Sequence, residues 1–136
     1  AIIGELPIGP PQYLVPFITQ TAIGVREKLS VYGNDYATPD GTCIRDYIHV
    51  EDLAKAHVFA IKRLLEKKNL PSPEVFNIGT GRNYTINQVA DLVGGEKSYI
   101  PSRSGEARET MADISKATQI LGWSPSHRLE DALISY

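Results

Sequence analysis

The chain has 136 residues, of which 42% are hydrophobic and 22% charged, and its 14 basic and 16 acidic side chains give a formal net charge of −2. This length fits one ordinary domain or a piece of a larger one, and the composition argues against a disordered, collagen-like or coiled-coil chain. The charge disfavours a general nucleic-acid binder, and no run of about 18 apolar residues predicts a membrane span.

The first 50 residues predict one helix and two strands. Pro16 suits the first turn of a helix, side chains alternate in character from Ile44 onward, and Pro39-Asp40-Gly41 has strong turn chemistry. In chain order, we expect irregular structure over 4–11, a helix over 15–24, a strand over 29–32, a turn at 33–35, a loop over 37–42 and a strand over 44–50.

Residues 51–68 carry the clearest helical pattern. At 100° per residue the apolar side chains form one continuous arc, which we expect to be buried, with His57 as a core histidine. Phe59 falls on the polar side and is expected to meet another segment or chain. The arc consists of Leu53, Ala54, His57, Val58, Ala60, Ile61, Leu64 and Leu65.

The second half alternates strands and helices, which indicates an α/β fold. Thr85, with Gln88 three residues later, is a capping-box pattern that opens a helix through Val93. Asp113 is predicted to cap another helix through Leu121. The other expected elements are a strand over 74–78, a loop over 79–82, a strand over 97–100, a polar loop over 101–107 and a short amphipathic segment over 124–136.

Two patterns that could indicate binding or catalysis have simpler interpretations. The loop that begins Gly79-Thr-Gly81 follows a predicted strand, but a dinucleotide fingerprint needs a third glycine where Tyr84 stands, so a tight turn is expected. No two of the remaining candidates have metal-ligand spacing or a visible activating partner, and neither a metal site nor a nucleophile is predicted. These candidates are Cys43, His49, His57 and His127.

Two arginines form a more informative pair. Arg45 begins a predicted strand, and Arg103 lies in the polar loop. A guanidinium is always charged and binds two oxygens at once, so two that converge can clamp a diphosphate. Either arginine could instead form an ion pair, for which Asp46 and Glu106 are available.

The motifs around Arg45 resemble those of a known family. Residues 30–54, which include Tyr-Ala-Thr-Pro-Asp-Gly-Thr and Arg-Asp-Tyr-Ile-His-Val-Glu-Asp-Leu-Ala, closely resemble the C-terminal region of UDP-glucose (UDP-galactose) 4-epimerases. These are extended short-chain dehydrogenase/reductase proteins. Further matches continue in order through Phe-Asn-Ile-Gly-Thr-Gly, Arg-Ser-Gly-Glu, Ala-Asp and Leu-Gly-Trp, so the resemblance covers essentially the whole chain.

The resemblance implies a division of labour. In this family an N-terminal Rossmann domain binds NAD and carries a catalytic Tyr-x-x-x-Lys pair, and a smaller C-terminal domain holds the UDP-sugar. The sugar C4 hydroxyl is oxidised, the 4-keto sugar turns, and it is reduced on its other face. This chain has neither the glycine fingerprint nor Tyr-x-x-x-Lys. It is therefore expected, over 1–136, to be the UDP-sugar-binding part, a small mixed α/β domain with segments that pack on a Rossmann domain outside it, and to carry no catalytic residue of its own.

The resemblance also assigns roles to residues. Leu14 matches a leucine whose backbone contacts the UDP, and Tyr13 stands where an asparagine is usual. Thr110 stands where some members carry a tyrosine that narrows the sugar pocket, so N-acetylated sugars are expected to fit as well. The remaining matches are Ser30, Val31 and Tyr32 along the uracil, Arg45 and Arg103 on the diphosphate, and Glu106 on the ribose.

The wider context is predicted less directly. Cys43 is the only cysteine and cannot form an internal disulfide, so a reducing cytoplasm is expected. The chain begins at Ala1 without features of a signal peptide, and we expect it to be part of a longer protein, by resemblance a homodimer with no nucleic-acid or membrane partner. Three alternatives stay open: another nucleotide-sugar epimerase or dehydratase, a UDP-sugar-binding module without catalysis, and a chain unable to fold alone.

Overall fold

The computed structural model describes residues 9 and 13–134. Apart from Gly9, the predicted irregular segment 4–11 lies outside the described residues, as do residues 135 and 136. The chain divides into two compact units. The first unit comprises Ala1–Cys43, Thr85–Arg108 and Leu133–Tyr136, and the second comprises Ile44–Tyr84 and Glu109–Ala132.

The first unit contains a parallel two-stranded sheet and two helices. Strand β1 (Leu29–Tyr32) pairs with β4 (Lys97–Ile100), with Tyr32 opposite Ile100. Helix α1 spans Leu14–Ala22 and α3 spans Ile86–Val93. The predicted strands at 29–32 and 97–100 are therefore confirmed. The buried apolar side chains of this unit are Ile18, Leu29, Val31, Cys43, Val89, Ala90 and Leu133.

The start of α3 follows from the capping box in the sequence. The Thr85 hydroxyl accepts the backbone N–H of Gln88 at 3.0 Å, and the Gln88 side chain accepts the N–H of Thr85 at 2.8 Å. Two N–H groups that the helix leaves unpaired are satisfied in this way. The helix ends before Gly94, whose φ of 86° favours glycine. The predicted helix is confirmed at both ends.

The second unit is mainly helical. Strand β2 has only two residues, Ile44–Arg45, and is followed by helix α2 (Val50–Leu65) and a π-helix at Ala117–Leu121. Its core is formed by Ala56, Ala117 and Trp123, with Ile48, Phe76, Ile78, Ile114 and Leu121 packed around them. Two short elements lie where the chain passes between units: β3 (Tyr84–Thr85), which pairs with β2, and α4 (Leu129–Ile134).

The predicted strand over 44–50 is wrong beyond Arg45. The next side chain, Asp46, accepts backbone N–H groups from a loop 34 residues later, so the chain leaves the ladder there. His49 then acts as the N-cap of α2, and its ring accepts the N–H of Glu51 at 3.2 Å. Alternating polarity could not reveal that Asp46 is held by a distant segment.

The predicted strand over 74–78 is also wrong for the described chain. No strand is assigned there, although Phe76 and Ile78 pack against the Trp123 core. A strand needs a neighbour to accept and donate its ladder hydrogen bonds. The apolar side chains of the segment predict burial. Phe76 and Ile78 are partly buried, although the segment forms no strand.

Helix α2 forms largely where predicted, but its buried face differs from the predicted one. Its buried side chains are Asp52 and Ala56, whereas Val58, Ile61 and Leu65 of the apolar arc are 63%, 55% and 78% exposed. His57 is likewise exposed, with its ring against the Leu53 carbonyl at 2.8 Å, and is not a core histidine. Periodicity identifies an apolar face but not the element that covers it.

The last predicted helix differs in detail. The Asp113 carboxylate accepts the N–H of Ser115 as a cap does, but the turns that follow are π-helical before Gly122 ends them with a φ of 69°.

Phe59 of α2 lines a small cleft with Ile120 and Leu121 of the π-helix, so it meets another segment as expected. Among the described residues, no helix combines the length and apolar character needed to cross a bilayer.

Candidate functional site

The first unit brings together three of the predicted ligand-binding residues. Tyr32 ends β1, and the paired strand β4 leads directly into the loop that carries Arg103. The Arg103 guanidinium carbon lies 3.6 Å from the centre of the Tyr32 ring, a cation–π contact. Glu106 joins them through a turn, in which its N–H donates to the Arg103 carbonyl at 3.3 Å. An aromatic ring, a guanidinium and a carboxylate thus share one edge of the sheet.

The neighbours of Arg103 further favour its positive charge. Contact with the Tyr32 phenol, and less strongly the charge of Glu106, raises the pKa of Arg103 above its already high usual value. Arg103 is exposed and can therefore reach a ligand. Gly33, just after Tyr32, has a φ of 78°, and a Cβ there would collide with the Tyr36 ring, so the turn that ends β1 requires glycine.

The other first-unit candidates differ in what they can present to a ligand. Ser30 and Tyr32 alternate with Leu29 and Val31 along β1, and only the first pair faces outward. The Val31 side chain is 1% exposed, so its ligand contacts would be made by its backbone. Leu14 is half-buried at the first position of α1.

The second unit places Arg45 beside Thr110. Ile44 forms a parallel bridge with Glu109, and its carbonyl accepts the N–H of Thr110 at 3.0 Å. The half-buried Arg45 donates from Nη1 to the same Ile44 carbonyl at 2.8 Å. Thr110 lines a cavity of about 500 Å³. The cavity is also lined by Asp46, Ile48, Phe76, Asn77, Ile78, Gly79, Met111, Ala112 and Asp113.

Asp46 is a positioning residue that the sequence indicated only as an alternative ion-pair partner of Arg45. Its carboxylate accepts the backbone N–H groups of Thr80 at 2.8 Å, Gly81 at 3.1 Å and Ala112 at 3.2 Å. It therefore joins the segment after Arg45 to the loop after residue 78 and to the segment after Thr110. The signal available was a conflict: an acidic residue on the predicted apolar side of a strand.

The same contacts explain the Gly79–Gly81 loop. The N–H groups that a phosphate would need are bound to the Asp46 carboxylate. A Cβ at Gly79 would lie 2.6 Å from Asp46 Oδ2, so the glycine permits a close approach of backbone and carboxylate. The loop is a tight turn, as predicted, and its amides are not available to hold a dinucleotide.

Arg103 and Arg45 lie in different units, so the diphosphate clamp that they were predicted to form stays a prediction. The structure describes the surroundings of each arginine separately: Arg103 with Tyr32 and Glu106, and Arg45 with Thr110.

Comparison with known proteins identifies the family. Residues 7–135 match the family model described as GDP-mannose 4,6 dehydratase. The chain belongs to this family. A UDP-glucose 4-epimerase of Dictyostelium discoideum is 45% identical over 136 residues, which are 96% of this chain and 39% of that protein. The resemblance predicted from the motifs is thus confirmed, and the chain spans about two fifths of the length of such relatives.

Solved structures of family members have the same fold. A UDP-glucose 4-epimerase from Stenotrophomonas maltophila, with bound NAD and formylated UDP-arabinopyranose, matches 98% of this chain and 40% of that chain with a TM-score of 0.90 at 37% identity. A UDP-glucose 4-epimerase from Bifidobacterium longum, in complex with NAD+ and UDP, matches 98% of this chain and 41% of that chain with a TM-score of 0.88 at 38% identity. The predicted mixed α/β fold of the extended short-chain dehydrogenase/reductase family is therefore confirmed.

Proposed function

We propose that the chain, over 1–136, is the UDP-sugar-binding portion of an NAD-dependent UDP-glucose 4-epimerase, which interconverts UDP-galactose and UDP-glucose through a 4-keto intermediate. The observation that carries this proposal is the grouping of Tyr32, Arg103 and Glu106 at one edge of the β1–β4 sheet. A nucleotide offers an aromatic base, phosphates and ribose hydroxyls, and these three side chains offer a matching partner for each.

Binding of the UDP would be divided among the proposed residues. Arg103 and Arg45 neutralise the diphosphate with bidentate hydrogen bonds, and Glu106 accepts from the ribose hydroxyls. Tyr32, Ser30 and the backbones of Val31 and Leu14 hold the base. Because the Arg103 guanidinium covers one face of the Tyr32 ring, the uracil base would contact the edge of that ring or displace the guanidinium from its face. A firmly held UDP leaves the sugar free to turn between its two hydride transfers.

The redox chemistry would come from outside this chain. The Gly79–Gly81 amides bind Asp46, and the sequence has neither a glycine fingerprint nor a Tyr-x-x-x-Lys pair, so the described residues do not fit NAD. When bound elsewhere in the protein, NAD supplies hydride acceptance and return. We propose that the chain by itself is inactive and contributes affinity and orientation.

The cellular setting belongs to the same proposal. We place the protein in the cytoplasm because Cys43 is a buried thiol without a disulfide partner in the described chain. We propose a homodimer whose small-molecule partner is the UDP-sugar.

Calorimetric titration of UDP into the intact protein tests the arginine clamp. Arg45→Ala and Arg103→Ala should each weaken binding by roughly 1.5–3 kcal/mol, since each removes hydrogen bonds to a charged partner, and this corresponds to about a tenfold to hundredfold higher Kd. Arg82→Ala is the matched control, because Arg82 is an exposed arginine outside the proposed site. Unchanged affinity in both clamp variants would refute the clamp.

The alternatives predict different results. Another nucleotide-sugar epimerase or dehydratase would bind UDP through the same residues but leave UDP-galactose unconverted and act on a different sugar. A binding module would hold UDP without converting any sugar. The relatives named UDP-glucose 4-epimerase, at 45% identity for the Dictyostelium protein, favour the proposed 4-epimerase over both alternatives.

A further inference from the structure

Three potential metal ligands converge at the start of α2, in the second unit. One ligand atom from each of His49, Glu51 and His127 lies within 4.8 Å of the others. The two imidazole rings stack with their centroids 4.2 Å apart and their planes at 21°. His127 Nε2 is 3.3 Å from Glu51 Oε2. Among the described residues this is the only such group of three.

The convergence is built by a buried carboxylate. Asp52 is 0% exposed and accepts the backbone N–H groups of Ser126 and His127, both at 2.8 Å, and the Ser126 hydroxyl at 2.6 Å. These bonds fasten the segment at 126–127 onto the first turn of α2. His127 is thereby held against Glu51 although the two are distant in sequence.

Asp52 also orients the His127 ring. Its Oδ1 lies 3.1 Å from His127 Nδ1, and the Ser126 hydroxyl oxygen lies 3.3 Å from the same nitrogen, so a proton on Nδ1 has two oxygen acceptors within reach. In that tautomer the opposite nitrogen, Nε2, carries the lone pair that a metal would use, and it lies 3.3 Å from Glu51 Oε2. A histidine whose second nitrogen donates to a buried carboxylate is the usual arrangement behind a metal-bound imidazole.

We propose that His49, Glu51 and His127 form a binding site for a divalent transition metal, with Zn²⁺ as the favoured ion. Tetrahedral bonds of about 2.0–2.2 Å place ligand atoms about 3.4 Å apart, close to the observed His127–Glu51 separation. His49 must also rotate out of its stack on His127, because a metal lies in the plane of each imidazole that binds it and the two rings are nearly parallel. Two imidazoles and one carboxylate suit Zn²⁺, whereas Mg²⁺ and Ca²⁺ prefer oxygen alone. A fourth position stays open to water or an anion.

Coordination would change one existing hydrogen bond. His49 Nδ1 now accepts the N–H of Glu51 at 3.2 Å, a long bond at a solvent-exposed position. A metal on Nδ1 replaces that bond, and a metal on Nε2 moves the proton to Nδ1. The three potential ligands are therefore already close together. The site forms when the His49 ring moves and releases the N–H of Glu51.

The site is tested by titrating Zn²⁺ against the intact protein, with any affinity tag removed, in competition with a chromogenic chelator. We expect one Zn²⁺ per chain, a higher melting temperature, and no effect of Mg²⁺. Glu51→Gln and His127→Ala should each reduce Zn²⁺ affinity roughly tenfold or more. His57→Ala is the matched control, because it removes an exposed histidine of the same helix that is not part of the group.

The two test variants guard against a folding artefact. His127→Ala also removes a partner of Asp52, whereas Glu51 is exposed and its replacement by glutamine leaves the Asp52 contacts in place. Loss of zinc in both variants, with retention in the His57→Ala control, supports the site. Equal zinc affinity in wild type and Glu51→Gln, or no one-to-one binding in wild type, overturns it. Neither result depends on UDP binding or epimerase activity.

Discussion

Thr110 is a small side chain on the wall of a cavity. It is exposed on the wall of the 500 Å³ cavity, and its backbone is held by the Ile44 carbonyl at 3.0 Å. A substitution there should therefore alter the space for a ligand without moving the backbone that carries Arg45.

Sugar selectivity is expected to follow from this volume. The intact protein should turn over UDP-N-acetylgalactosamine as well as UDP-galactose, and Thr110→Tyr should reduce kcat/KM for the acetylated sugar roughly tenfold or more relative to the other, by filling the space for the acetyl group. Thr110→Ser is the control that keeps the pocket open. Absence of activity on the acetylated sugar in wild type would contradict the volume argument.

At the level of elements, the N-terminus of α3 is tied to the Pro39–Gly41 turn by Asp40. Its carboxylate accepts the hydroxyl of Thr85, the α3 N-cap, and the N–H and hydroxyl of buried Thr42 at 2.9 and 2.7 Å. Burial works against ionisation of Asp40, but the hydrogen bonds from Thr85 and Thr42 outweigh it and lower the pKa of this carboxyl.

This link should make stability depend on pH. Because the folded-state pKa of Asp40 is below the unfolded value of about 3.9, the contribution is complete above that pH and is lost as pH falls through the folded pKa. Asp40→Asn should lower the free energy of unfolding at pH 7 by roughly 1.5 kcal/mol and weaken its decline below pH 4, as measured by urea unfolding. Asp35→Asn is the control, because it removes the same charge from the same loop. A profile for Asp40→Asn that matched this control would contradict the link.

At the scale of the whole molecule, the apolar face of α2 requires a partner. Val58, Ile61 and Leu65 are more than half exposed in the described chain, although their spacing is that of a buried helix face. The chain spans 39% of the length of the Dictyostelium relative. We expect this face to pack on the NAD-binding portion in the intact protein.

Substitutions on opposite faces of α2 test that packing. Ile61→Glu should lower the free energy of unfolding of the intact protein by roughly 2 kcal/mol or more, because it buries a carboxylate without a partner. Lys62→Glu, on the polar face, should cost only a few tenths of a kcal/mol, since its pair with Glu66 at 3.8 Å is exposed. Equal effects of the two variants would show that the Ile61 face is open to solvent.

The helix bounds and the first-unit strands could be predicted because their signals are local. The capping box at Thr85, the glycine after Val93 and the alternation over 29–32 act within a few residues, so short-range physics decides them. The strand predicted over 44–50 could not be corrected from sequence, because the bonds that end it come from Thr80 and Ala112. The candidate site could also be predicted only in part. The motif resemblance identified Tyr32, Arg103 and Glu106, but it gave no role to Asp46.

By itself, the sequence determined the α/β class and the family, and it named the residues proposed to bind a UDP-sugar, because turn chemistry, periodicity and motifs are local features of the chain. Only the tertiary structure decided which face of α2 is buried, which carboxylate holds the Gly79–Gly81 loop, and that His49 lies 4.2 Å from His127, ring centre to ring centre. Each of these depends on contacts between segments more than 30 residues apart or on the element that covers a face. Spacing along a chain does not report such contacts, because folding sets the distance between those segments independently of their separation in sequence.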